Sequence, residues 1–193
     1  MDFKENDNVG TMPVLEKHAI DAVALQSFMQ ANVPGFEGEI SIEEFKGGQS
    51  NPTYKIVSPS NSYVLRRKPP GKLLKSAHAV DREYRVITAL NQTQVPVPTS
   101  YALCEDDSII GTAFYLMEFM DGRVLWDASM NGHSKEESYG VYASMNSTMA
   151  ALHSVDPYEI GLETFGKPGN YVGRQVSIWT KQYQDSETEE IED

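Results

Sequence analysis

The sequence predicts an α+β fold: a five-stranded antiparallel sheet interrupted by one helix, followed by a run of helices. Three observations predict it. Between residues 39 and 118, short β-rich runs alternate with glycine, proline and asparagine turns. A single amphipathic stretch near residue 80 breaks that series with helical spacing. After Gly122 the strand signals stop and helical periodicity takes over.

The elements follow in order. Residues 1 to about 15 are polar and are expected to be disordered. From His18 to Val33 the apolar residues Ile20, Val23, Ala24, Phe28 and Ala31 recur at helical spacing, and Pro34-Gly35 ends the run. Strands are expected at Glu39–Phe45 and Tyr54–Val57 around the turn Gly47-Gly48-Gln49-Ser50-Asn51. A third, Ser62–Arg67, follows Ser58-Pro59-Ser60-Asn61, and Pro69-Pro70-Gly71 breaks the chain again. The next helix should start near Ser76, an N-cap residue, and run to about Leu90 with the stripe Val80, Tyr84, Ile87 and Leu90. Proline chemistry makes Val95-Pro96-Val97-Pro98 extended. Strands at Thr99–Cys104 and Thr112–Glu118, with a hairpin turn around Glu105-Asp106-Asp107, complete the sheet. Ser134-Lys135-Glu136-Glu137 is a capping box, and Val141, Met145, Met149 and Leu152 carry the helix behind it to His153. Another helix is expected from Asn170 to about Gln184, and residues 185–193 form a mostly acidic tail.

Composition narrows the function classes. A chain of 193 residues with 40% hydrophobic and 10% aromatic content can bury a core. Its formal net charge of -12 argues against nucleic acid or an anionic membrane as the main partner, because both need a basic surface. The one cysteine, Cys104, has no internal disulfide partner and is expected to be an inert thiol in a reducing compartment. No apolar run approaches the ~20 residues of a membrane span. The acidic N-terminus lacks the regions of a signal peptide, so an intracellular protein is expected, cytoplasmic by default, with peroxisome and mitochondrion left open.

Several residues can bear chemistry. Glu83 lies three positions after Val80 and four before Ile87, on or beside the buried stripe of its helix. It either meets a cation there or sits at the edge and reaches water; periodicity leaves both open. Arg66 is the candidate cation. Alternation sets Val64 and Arg66 on one face of their strand, and Tyr63, Leu65 and Arg67 on the other. A branched apolar residue beside a cation suits a base ring and its phosphates, although a solvated strand end has the same pattern. The Gly47–Asn51 turn either cradles phosphate with its N–H groups or is a plain hairpin, and no Gly-Lys-Ser/Thr follows to make it a Walker A loop. His153 and Asp156 are explained by a helix end before Pro157. His18, His78 and His133 have no ligand-like neighbours, so no metal site with protein ligands alone is expected. Trp126 and Trp179 are expected to be packing residues.

The order of the motifs says more than any one of them. Gly47-Gly48-Gln49-Ser50-Asn51, Tyr63-Val64-Leu65-Arg66-Arg67-Lys68-Pro69-Pro70-Gly71, Asp81-Arg82-Glu83-Tyr84 and Val95-Pro96-Val97-Pro98 come first. Tyr115-Leu116-Met117-Glu118-Phe119-Met120-Asp121-Gly122 and Ala151-Leu152-His153-Ser154-Val155-Asp156 follow. The series resembles the aminoglycoside-phosphotransferase-like family of kinase-fold enzymes. Lys68–Leu74 and Gly173–Tyr183 look most similar to the kinase-like domain fused ahead of an acyl-CoA dehydrogenase in fatty-acid-degrading proteins. The resemblance implies a protein-kinase-like small lobe over 16–121 and the first helices of a helical large lobe over 122–184. It implies an ATP pocket with Arg66 on the α- and β-phosphates, Glu83 orienting it, and Gly48, Ser50 and Asn51 in the phosphate loop. Val64 would face the base, Met117 would close the back of the adenine pocket, and backbone groups of Glu118 and Met120 would meet the adenine edge.

The family's His-Gly-Asp-x-x-x-x-Asn loop and later metal-binding Asp do not occur in the sequence, and His153 precedes the position where that loop is expected. Catalytic residues and a Mg²⁺ site are therefore expected only in a longer protein. Two readings remain. One is the front part of an ATP-dependent kinase for a small hydroxyl acceptor, with 4-hydroxyacyl-CoA as the acceptor implied by the resemblance. The other is a catalytically inactive nucleotide-binding or interaction module. In either case the apolar stripes after residue 134 exceed what a small-lobe sheet can cover, so self-association or a partner is expected.

Overall fold

The computed structural model describes residues 9–46, 51–71, 78–125 and 127–186. The chain divides into two compact units, Met1–Asp156 and Pro157–Asp193.

Strand-forming runs in the first unit make one antiparallel sheet of six strands. They are β1 (Thr11–Met12), β2 (Ser41–Phe45), β3 (Thr53–Val57), β4 (Ser62–Arg67), β5 (Ser100–Cys104) and β6 (Phe114–Glu118), in the order β1-β2-β3-β4-β6-β5. Five of these strands were expected; β1 is the correction. Thr11 and Met12 pair with Phe45 and Glu44, inside the segment expected to be disordered. Two residues are too short to show alternation, and they are ordered by the ladder groups that the edge of β2 offers. Residues 1–8 lie outside the described residues.

Alternation gives the sheet two different faces. Tyr54 and Ile56 of β3, Tyr63 and Leu65 of β4, and Phe114 and Leu116 of β6 point to one side. There they pack with Leu25, Met29 and Val33 of the first helical segment, all of them buried. Helix α1 (Ala22–Asn32) supplies that layer, and Asp21 caps it by accepting from the N–H groups of Val23 and Ala24, each at 3.0 Å. The expected stripe is shifted: Val23 is 77% exposed, whereas Leu25 and Met29 are fully buried. The sequence of α1 is apolar on several sides, so the sheet, rather than periodicity, selects the buried face.

The opposite face holds Val80 and Tyr115 in a smaller cluster, with Tyr84, Ile87, Leu103 and Met117 against it. Helix α2 (Val80–Leu90) covers this side. It begins later than expected, after Ala79, and the proposed cap Ser76 lies outside the described residues. The turn expected at 105–107 is in fact a short helix, α3 (Asp107–Ile110), capped by Asp106 and ended by Gly111 at φ +87°. A left-handed residue is required there, and glycine adopts it without a Cβ clash.

Helix α4 (Lys135–His153) starts with the expected capping box. Ser134 Oγ accepts from the Glu137 N–H at 3.1 Å, and the Glu137 carboxylate accepts from the Ser134 N–H at 2.9 Å. No residue of α4 is buried. In the second unit, α5 (Tyr171–Ser186) likewise buries none of its residues, and Trp179, expected to pack, is 66% exposed. Trp126 is outside the described residues. Among the described residues no helix is long and apolar enough to cross a membrane.

Candidate functional site

The site grows from the register of β3, β4 and β6. Thr53 pairs with Arg66, Lys55 with Val64, Val64 with Met117 and Arg66 with Tyr115. Directly paired residues share a face, so these six side chains line the same side of the sheet as α2.

Arg66 and Glu83 meet there. The guanidinium donates from Nε to Glu83 Oε2 at 2.7 Å and from Nη1 to Thr53 Oγ1 at 3.1 Å. The two charged side chains are half-buried, at 29% and 36% exposure. Of the two placements open for Glu83, the helix edge in water or a cation, the structure has the cation. Glu83 Oε2 also accepts from the Tyr115 hydroxyl at 3.1 Å, and Oε1 accepts from Asn51 Nδ2 at 3.3 Å. Burial, and next the Glu83 charge, push the Tyr115 hydroxyl well above its usual range, so it remains a donor. The cluster offers a cation held in a fixed plane; it has no free base.

Asn51, expected in a phosphate loop, is 3% exposed and bound on both ends of its amide. Gly48 and Ser50 lie outside the described residues. Val64 is buried and Met117 half-buried, facing each other across the β4–β6 pair. Glu118 closes the sheet edge: its N–H donates to the Thr99 carbonyl at 2.8 Å, while its carboxylate accepts from the Thr99 N–H at 3.0 Å and hydroxyl at 2.9 Å. Those two bonds hold the Glu118 carboxyl below its ordinary value. Met120 is 62% exposed. Between them Phe119 stacks on Phe45 with centroids 6.4 Å apart, and Lys55 Nζ sits 4.2 Å above its ring.

Sequence reasoning gave no role to Thr53, Lys55, Tyr115 and Phe119, and weighed His78 only as a metal ligand, which it set aside. Counting alternate residues from Arg66 and Met117 across the paired strands would have found the first three. His78 had no such signal, because its partner, Asn51, is 27 residues away. Arg67 belongs to the other face: it is 3% exposed and donates to the carbonyls of Ile110 and His18. A separate cavity of about 420 Å³, lined in part by Arg123, His133, Glu137 and Met145, shares no residue with the cluster. Among the described residues no group of three His, Cys, Asp or Glu side chains is arranged to hold a metal ion.

Residues 41–193 match the model of the phosphotransferase enzyme family. A probable acyl-CoA dehydrogenase of Arabidopsis thaliana is 48% identical over 180 residues, covering 89% of this chain and 22% of the relative. Acyl-CoA dehydrogenase family member 11 of Rattus norvegicus is 42% identical over 185 residues, covering 94% of this chain and 24% of the relative. A crystal structure of a Ralstonia eutropha chain, assigned to the aminoglycoside phosphotransferases, matches with a TM-score of 0.75 and 53% identity. That match covers 90% of this chain and 50% of the other. The chain thus spans less than a quarter of these two curated relatives, at 22% and 24% of their lengths.

Proposed function

Because the chain belongs to the phosphotransferase enzyme family and has the kinase-like fold of its solved neighbour, we propose that it is the nucleotide-binding part of an ATP-dependent phosphotransferase. The observation that carries this reading is the Arg66–Glu83 pair, 2.7 Å apart on the sheet face beneath α2. A guanidinium with Nε on Glu83 and Nη1 on Thr53 cannot swing, so its Nη2 edge presents a fixed charge to the α- and β-phosphates. Val64 and Met117 hold the base, and Gly48 and Ser50 contribute to the phosphate loop. The adenine edge meets the Glu118 carbonyl, since the N–H of that residue is taken by Thr99, and the Met120 N–H. Phosphoryl transfer also uses a base and Mg²⁺, which offsets charge on the phosphates. In this reading the residues of this chain bind and orient the donor, with Glu83 and Thr53 holding Arg66 for the phosphates.

The acceptor in this reading is a small hydroxyl compound; the acyl-CoA dehydrogenase names of the relatives favour an acyl-CoA, and the resemblance implies its 4-hydroxy form. Titration calorimetry of the chain with ATP tests the donor half. Saturable binding that Arg66→Ala weakens at least about tenfold, the weight of a charge-assisted contact, is the expected result. Equal binding by parent and variant would overturn it.

A second reading, a nucleotide-binding or interaction module without catalysis, is favoured by one observation. Met145, Met149 and Leu152 on α4 are 60%, 52% and 44% exposed. A stripe of that kind associates with another surface, here a second copy or a partner chain.

A further inference from the structure

We propose that His78 and Asn51 are positioning residues for the Arg66–Glu83 pair, forming a relay from His78, two residues ahead of α2, through Asn51, two residues ahead of β3, to the phosphate-binding cation. The proposal rests on the nucleotide reading given above and goes beyond it by taking Asn51 off the ligand and adding His78.

Asn51 fixes the direction of the relay. Its side chain is buried, with one end 2.6 Å from His78 Nδ1 and the other 3.3 Å from Glu83 Oε1. A carboxylate only accepts, so the amide NH₂ must face Glu83 and the amide oxygen must face His78. The imidazole therefore donates from Nδ1, and its tautomer follows from the carboxylate two links away. Reversing the Asn51 amide would set oxygen against Glu83 oxygen in a buried position, which makes the chain of donors single-valued.

His78 sits where a side chain has to justify itself. Its φ is +58°, a left-handed value that costs a non-glycine residue conformational energy. The bond to Asn51 and the bond from the Val80 N–H to the His78 carbonyl, at 2.9 Å, hold it there. Its position two residues ahead of α2 ties the N-terminal end of that helix to β3.

Glu83 needs the relay because its two oxygens are loaded differently. Oε2 takes Arg66 Nε and the Tyr115 hydroxyl, whereas Oε1 takes Asn51. Without Asn51 the carboxylate can rotate about its terminal bond while keeping one contact to Arg66. The guanidinium plane then loses its definition. The effect on a nucleotide is indirect: neither His78 nor Asn51 touches phosphate in this scheme.

The test uses the 193-residue chain, the variants His78→Gly, Asn51→Ala and the double variant, ATP calorimetry, and exchange of the Arg66 Nε–H signal in ¹H–¹⁵N spectra. Glycine accepts the left-handed backbone, so His78→Gly removes the donor without adding strain. Each single variant is expected to weaken ATP binding about five- to tenfold, the weight of one net hydrogen bond, and to speed Nε–H exchange without ligand. Because the residues act in series, the double variant should lose no more than Asn51→Ala. Additive losses, or a His78→Gly chain with parental affinity and exchange, would overturn the relay. Should the parent chain not bind ATP, the proposed function falls, and the exchange measurement alone decides the relay.

Discussion

Arg66 and Glu83 should rank in opposite orders in stability and in nucleotide affinity. The structure sets the magnitudes. Their 2.7 Å contact is charge-assisted but half-exposed, so water and side-chain entropy reduce its worth to about 1 kcal/mol of coupling. Arg66→Ala leaves Glu83 with two donors, the Tyr115 hydroxyl and Asn51, and should cost about 1 kcal/mol of stability. Glu83→Ala strips the acceptor from both of those groups, in residues that are 2% and 3% exposed. Leaving buried donors unpaired costs about 1 to 3 kcal/mol each, so Glu83→Ala should cost at least 2 kcal/mol. For ATP the proposed site reverses the order, because there Arg66 would meet phosphate and Glu83 would only orient it. The Arg66→Ala loss should reach about 1.5 to 3 kcal/mol in binding, and the Glu83→Ala loss about half that. Urea unfolding and calorimetry on the two variants and their double would measure both orders and the coupling. A variant that ranks worst in both assays, or a coupling of zero, would refute the reasoning.

Arg67→Ala should destabilise the chain by about 2 kcal/mol, since it removes charge-assisted hydrogen bonds to the carbonyls of Ile110 and His18, while the folded fraction keeps its ATP affinity; a loss of affinity at unchanged stability would contradict this. Burial raises the Tyr54 hydroxyl from 10.0 to about 12. The folded chain therefore keeps that proton while the unfolded chain loses it, so this contribution is complete below pH 10 and disappears as the pH rises through about 12. Tyr54→Phe should flatten the stability slope across that window, as read by circular dichroism with tyrosinate absorbance; an unchanged slope would rule out Tyr54 as its source. Sedimentation velocity should find the parent chain self-associated and the Met145→Lys, Met149→Lys double variant shifted toward monomer. A monodisperse parent monomer would remove that expectation.

The sequence announced what depends on repetition and concealed what depends on distance. Strands β2 to β6 are β-rich runs of five or six residues, each set off by turn or proline segments, and the Ser134–Glu137 box is a local pattern, so both could be read directly. Thr11–Met12 and Asp107–Ile110 are too short to have a period. In α1 the residues Ala22 to Leu25 are apolar on all sides, and only the sheet shows that Leu25 faces in and Val23 out. The same division runs through the site. Arg66 and Val64 could be assigned one face by counting, but the Asn51–Glu83 and Asn51–His78 bonds join residues 32 and 27 positions apart. No local pattern encodes such pairs.

Adjacent arginines show how far alternation alone can go. Arg66 and Arg67 are chemically identical and differ only in the side of β4 from which they emerge. Arg66 emerges beneath α2, where a carboxylate and a threonine hold it half-exposed. Arg67 emerges into the α1 layer, lies 5.5 Å from the Tyr54 ring and donates from its two Nη groups to backbone carbonyls, while its buried Nε has no hydrogen-bond partner among the described residues. A one-residue slip of β4 would exchange these environments, taking Arg66 from its carboxylate and Arg67 from its carbonyls. The apolar residues that set the register, Tyr63 and Leu65, therefore also select which arginine joins Glu83 beneath α2. Fold and site are specified by the same five-residue alternation, so a substitution that shifts this register should abolish both at once.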